Sequence, residues 1–239
     1  MIEYSLYLES GPRRQKTMVH LLDLLGCTTR GSTTEQALYA VPMAIHDFLS
    51  FLKVHGENTD PQAAFTTKIA THIMEGNWLG NGDPTSGFLP DFQPLNVDAL
   101  YGYQQRLSWM QGSILNMIQD LTPEQLHNKP SDGSRTIAHI LEHLAESHAV
   151  YLRYLTGSVD DMADRLKIIQ SKPSDLPAAL INFWGITSAR LRSLTPSERE
   201  MSVPHGQVTW TARRALRRML EHSWEHLDEI SHRLGKSVA

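Results

Sequence analysis

The chain has almost no cysteine. Cys27 is the single one in 239 residues, so no intramolecular disulfide can form and a reducing cytoplasm is the expected setting. It has no basic surplus either: 22 Lys and Arg stand against 26 Asp and Glu, a formal net charge of −4, which speaks against a general nucleic-acid binder. No window approaches the roughly 18 to 20 apolar residues that cross a bilayer. Residues 1–10 lack the basic start and apolar core of a signal peptide, so no membrane partner is expected. Phosphate-cradling glycine loops, nucleophile elbows and internal repeats are also missing. What is present is 41% hydrophobic and 20% charged residues, enough for a globular core in one large or two small domains.

The charge is unevenly placed. Residues 1–56 and 95–239 are each balanced, whereas 57–94 carry Lys68 against Glu57, Asp60, Glu75, Asp83 and Asp91 and so hold the whole surplus. This shift, rich in proline and glycine, marks a boundary. Before it, alternation over residues 3–9 and the apolar run within 16–22 read as strands, with a short third strand between Gly26 and Gly31. Thr33 or Thr34 then caps a helix whose apolar positions include Ala37, Val41, Ile45, Phe48 and Leu52, with Gly56 as its stop. Pro42 should bend this helix or delay its start. Residues 66–74 are compatible with a helix or a strand, and the turn-rich loop that follows carries Trp78, Phe88 and Phe92, more aromatics than a mere spacer needs. After residue 97 the period is helical in four blocks, 97–120, 135–156, 175–194 and 209–234, with a long connection between the second and third. The expected class is α+β: a three-stranded antiparallel sheet with one helix (1–56), an acidic connecting segment (57–96) and a four-helix bundle (97–239).

Eight of the twelve histidines lie after residue 126. His222 and His226 stand four apart, so their side chains stack on one helix face. On the helical wheel His226 lies at the edge of an apolar stripe of Leu216, Met219, Leu220, Leu227, Ile230 and Leu234. Arg214, Arg217, Arg218, Glu221, Glu225, Asp228 and Glu229 take the opposite, surface face. His143 falls at the stripe edge of the second block, and His139 makes another pair with it at the same spacing. Two imidazoles four apart with a third from a facing helix can hold one ion and leave a coordination position open, the catalytic pattern. Imidazole suits zinc, nickel or iron better than calcium or magnesium. The same spacing is equally that of solvated histidines.

Two resemblances sharpen this reading. Asp23-Leu24-Leu25-Gly26-Cys27, Gly31-Ser32-Thr33-Thr34-Glu35-Gln36-Ala37-Leu38 and Ala44-Ile45 resemble the HicB-like domain, with Leu25 where that family usually has proline. Leu121-Thr122-Pro123-Glu124-Gln125-Leu126, Ile137-Ala138-His139-Ile140-Leu141-Glu142-His143-Leu144 and the run from Arg213 through Glu221-His222-Ser223-Trp224-Glu225-His226 resemble the DinB and YfiT bundles. That second resemblance implies a divalent transition metal on His143, His222 and His226, and leaves His139 facing outward. Where that family often has an acidic residue, five positions after the first ligand, this chain has His148. The wheel turns His148 inward, either as a core histidine satisfied by Tyr103, Tyr151 or Tyr154, or as a catalytic proton carrier beside the metal.

The resemblance implies a metal-dependent enzyme acting on a small-molecule substrate. Its expected chemistry is a transferase or isomerase using a low-molecular-weight thiol, or a hydrolase. The N-terminal domain is then an accessory or dimerisation module, which allows a homodimer. The other reading is a non-enzymatic interaction protein of the HicB antitoxin type.

Overall fold

A computed structural model describes residues 1–76, 78–82, 86–206 and 208–238. Two compact units emerge, residues 1–93 with 204–209, and residues 94–203 with 210–238.

In the first unit β1 (Ile2–Ser10), β2 (Gln15–His20) and β3 (Thr28–Thr33) form an antiparallel meander, and α1 (Thr34–Val54) packs on β2 and β3. The sheet has a fourth strand beyond the three expected. Residues 65–73, read as helix or strand, form β4 (Phe65–Ile73), which pairs parallel to β1 and gives the order β3-β2-β1-β4. The connecting segment thus completes the N-terminal sheet.

Thr33 caps α1 by accepting from the Gln36 amide, and the buried face is Ala37, Val41, Ile45, Phe48, Leu49, Phe51 and Leu52. Pro42 does not delay the helix, which starts eight residues earlier. The ring lies on the exposed side, where water can take the carbonyl it leaves without a donor. Against the expectation that no window approaches a bilayer-crossing length, helix α1 is long and apolar enough, by length and composition, to cross a membrane; its apolar face lies in the core of this unit. Gly31 explains part of the motif at the helix start. A Cβ there would lie 2.3 Å from the Ala37 nitrogen, so only glycine lets β3 run against the first turn of α1.

The loop after β4 is pinned to the sheet. Buried Glu9 accepts from the amides of Gly80 and Gly82 at 3.0 and 2.8 Å. Gly80, at φ +79°, passes so close to the Lys16 carbonyl that no side chain fits. Of the three loop aromatics only Phe88 is buried, against Tyr7 and His20; Trp78 and Phe92 are exposed. Asp83 and Pro84, part of the expected acidic turn, lie outside the described residues.

The second unit contains α2 (Val97–Ile118), the short α3 (Pro123–His127), α4 (Ile137–Thr156), α5 (Met162–Gln170), α6 (Leu176–Arg192), the short α7 (Pro196–Arg199) and α8 (Ala212–Leu234). Helices α2, α4, α6 and α8 are the four expected bundle helices; α8 packs on α2 and α4, and α6 on the same two. The long connection is not irregular: it holds α5, which packs on α4 and α6. The start of the fourth predicted block is strand: β6 (Val208–Thr211), paired with β5 (Ser202–His205), takes residues 209–211, and the helix begins only after Thr211, whose hydroxyl caps it.

Candidate metal centre

Helix α4 starts at a clean signal, Thr136 accepting from the His139 amide, and runs to Gly157. This places His143 two turns in, on the side facing α8. There His222 and His226, one turn apart and both buried, meet it. The Nε2 of His222 lies 3.1 Å from Nε2 of His143 and 3.0 Å from Nε2 of His226. The ligand atoms of all three rings lie within 4.8 Å of one another, and among the described residues this is the one such group of three. His139, the other member of the spacing pair, is exposed and points to Glu142 at 4.0 Å.

The protonation pattern of this cluster is informative. Burial, then the charge of His226, lowers the pKa of His143; the same two causes, followed by Arg218, hold His222 well below the ordinary imidazole value. His226 Nδ1 lies 2.8 Å from Glu229 Oε2. Burial raises the Glu229 carboxyl, but the hydrogen bond and charge of His226, together with Arg135 and Arg233, outweigh it and hold the group below its usual range. An ionised carboxylate only accepts, so His226 Nδ1 donates, and in the neutral ring Nε2 is the bare nitrogen. His222 Nε2 carries either one proton or one lone pair, so it cannot make a full hydrogen bond to both neighbours at once. A single divalent cation takes all three lone pairs at once. Two nitrogens about 2.0–2.1 Å from zinc at tetrahedral angles stand about 3.3 Å apart, close to the 3.1 and 3.0 Å of the two His222 pairs, and the third pair lies within 4.8 Å. The donor set therefore fits a transition metal.

His148 is fully buried, as the wheel indicated, but its partner is none of the three tyrosines. Its Nε2 donates to Ser223 Oγ at 3.0 Å, since that hydroxyl already gives its own proton to the Met219 carbonyl at 2.7 Å. Burial, then the charge of His226, pushes the His148 imidazole down to about 3. It is not among the three converging rings. Ser223 is placed near the site by the sequence, where no elbow motif gives it a role; only the packing of α4 on α8 brings it opposite His148.

A larger correction concerns the face of α8 assigned to the surface. Arg214, Arg217, Arg218 and Glu221 are buried. Arg217 Nη1 and Arg218 Nη1 donate to Glu221 Oε2 at 2.9 and 2.7 Å, and the Arg214 guanidinium lies 5.2 Å over Trp210, which stacks on Tyr154. The wheel assumes one covered face; here the polar face is covered as well, which the shared carboxylate and ring contacts permit. Glu229, also assigned to that face, is the carboxylate on His226; its position three residues later, one turn on, was the available signal.

No curated protein matches this chain. The solved structure of YfiT from Bacillus subtilis, described as a probable metal-dependent hydrolase with an unusual four-helix bundle topology, is similar at 26% identity. The likeness covers 61% of this chain and 93% of that one, with a TM-score of 0.45. The pattern of the DinB superfamily matches residues 106–230, a span holding all three converging histidines, His148 and most of the four bundle helices. That span is more than half of the sequence, and the chain belongs to the DinB superfamily.

Proposed function

We propose that this protein is a metal-dependent enzyme that holds one divalent transition ion, zinc, nickel or iron, on His143, His222 and His226. The observation that carries the reading is the convergence of three imidazole Nε2 atoms, with that of His222 3.1 and 3.0 Å from those of His143 and His226. Three protein ligands suit an ion with an open position. Bound there, the metal would supply a cation that favours the ionised form of a water or a thiol on a small-molecule substrate or cofactor. The chain's own contribution is placement. Helix α8 sets two rings one turn apart, and α4 brings the third. Burial keeps His143 and His222 in the unprotonated form a metal requires. His148 and Ser223 stand beside the site as a neutral hydrogen-bonded pair, and we assign His148 the role of a polar partner to the site. The N-terminal unit we read as a HicB-like accessory or dimerisation module in a cytoplasmic protein; the close passage of β3 over α1 at Gly31 and the turn preceding Cys27 support that likeness.

The test is metal content followed by chemistry. Purified protein should carry about one transition ion per chain, and His226→Ala should lose most of it, because two imidazoles bind far more weakly than three. His139→Ala, altering an exposed ring, should leave the content unchanged. Metal retained by a folded His226→Ala protein would place the site elsewhere. Loaded protein is then assayed for ester and amide hydrolysis with and without added thiols; thiol-dependent turnover lost in His226→Ala selects the transferase.

A further inference from the structure

Glu229 contacts a ring of α8 and the residue just before the cap of α4. Its Oε2 accepts from His226 Nδ1 at 2.8 Å, and its Oε1 accepts from Arg233 Nη2 at 2.7 Å. Arg135, just before the Thr136 cap of α4, approaches Oε2 at 3.5 Å through Nη2, and its own carbonyl accepts from Arg233 Nη1. One carboxylate thus touches a ring of α8 directly and is tied, through two arginines, to the start of the helix that carries His143. The two sides of this arrangement are chemically different. The contact to His226 falls on Nδ1, the ring nitrogen turned away from the point where the three rings converge. The contacts to Arg135 and Arg233 are partly exposed ion pairs, of the kind that add little by themselves.

We infer that Glu229 is a positioning residue of the metal centre, holding His226 as the Nδ1–H tautomer with Nε2 free and aimed at the point where His143 and His222 converge. The inference rests on the metal reading above. Without an acceptor at this place, the His226 proton is free to move to Nε2, where it blocks coordination, and the ring can turn about its χ2 bond. Outer carboxylates on ligating histidines typically carry a 10- to 100-fold share of metal affinity.

The experiment uses the full chain and zinc. Zinc affinity is measured by competition with a chromophoric chelator for wild type, Glu229→Ala, Glu229→Gln and Arg233→Ala. Thermal melting of the metal-free proteins and the nitrogen-15 shifts of the His226 ring are recorded alongside. Glu229→Ala should bind zinc about 10- to 100-fold more weakly. Glu229→Gln, which keeps an acceptor oxygen, should recover most of the loss. Arg233→Ala, which leaves the His226 contact in place, should change affinity by less than about threefold, roughly the worth of an exposed ion pair. In the metal-free wild type His226 should be the Nδ1–H tautomer, and in Glu229→Ala the Nε2–H form should grow. Wild-type affinity in Glu229→Ala, an Nε2–H ring in wild type, or an Arg233→Ala loss equal to that of Glu229→Ala without rescue by Gln would overturn the inference. Failure of wild type to bind zinc, nickel or iron would remove the metal reading instead, and the tautomer shifts would then still report whether Glu229 sets the ring.

Discussion

Neutral His148 has a consequence for acid stability that can be worked out from its surroundings. In the folded protein its pKa is pushed down to about 3, against 6.5 for an ordinary imidazole. The unfolded chain therefore binds a proton between these values and the folded chain does not. By linkage, the stabilising contribution is complete above about pH 6.5 and is lost as pH falls below it, at about 1.4 kcal/mol per pH unit. From pH 7 to pH 5 this one ring should cost about 2 kcal/mol, an order-of-magnitude figure. His148→Gln removes the titration but keeps an N–H to donate to Ser223. The assay is urea unfolding followed by helical circular dichroism at both pH values, with a chelator present so that metal release does not contribute. His143 and His222 also bind protons more readily when unfolded, so wild type has a steeper dependence than His148 alone gives. The quantity of interest is the difference between the two proteins. The variant should lose about 2 kcal/mol less than wild type over the interval; parallel losses would show that the ring is not held neutral by burial.

Two further outcomes follow from packing. Glu221→Ala removes the carboxylate shared by buried Arg217 and Arg218 and should destabilise the bundle by about 3–5 kcal/mol, read from the urea midpoint; a change within about 0.5 kcal/mol would mean the two guanidinium groups are satisfied without it. Gly31→Ala drives a methyl group into the backbone of Gln36 and Ala37, atoms that cannot swing aside, and should cost about 1–3 kcal/mol in the first unit; an unchanged thermal transition would show that β3 is not held against α1.

The elements most legible in the sequence were those with a strong period and an end signal. Helix α4 shows both, with Thr136 and Gly157 at its ends, and so does α1 after Thr33. Strand β4 was ambiguous because Thr66, Thr67, Lys68, Ala70 and Thr71 do not alternate in polarity; its identity comes from β1, a partner distant in sequence. The i, i+4 histidines were visible, but so was the exposed His139 pair, and only the meeting of α4 with α8 separates them. Charged residues of α8 were misplaced because a helical wheel records polarity and not coverage. Arg217 and Arg218 reach Glu221 on their own helix, so their charges are compatible with burial although their residue types suggest water.

The order of strands in the first unit also bears on how the sheet assembles. β1 is an inner strand, yet its two partners are very unequal in chain distance: β2 follows after a tight turn, whereas β4, with Phe65 aligned to Ile2, returns only after α1. Closing the near hairpin costs less chain entropy than closing the far one, whose partners are widely separated in the chain. β4 is also exposed along its middle, Thr66 to Ala70, and a bulge interrupts its register between Leu6 and Tyr7. The meander with α1 is expected to form the slowly exchanging core and β4 to dock late and open first, which faster hydrogen exchange at the β4 amides would check.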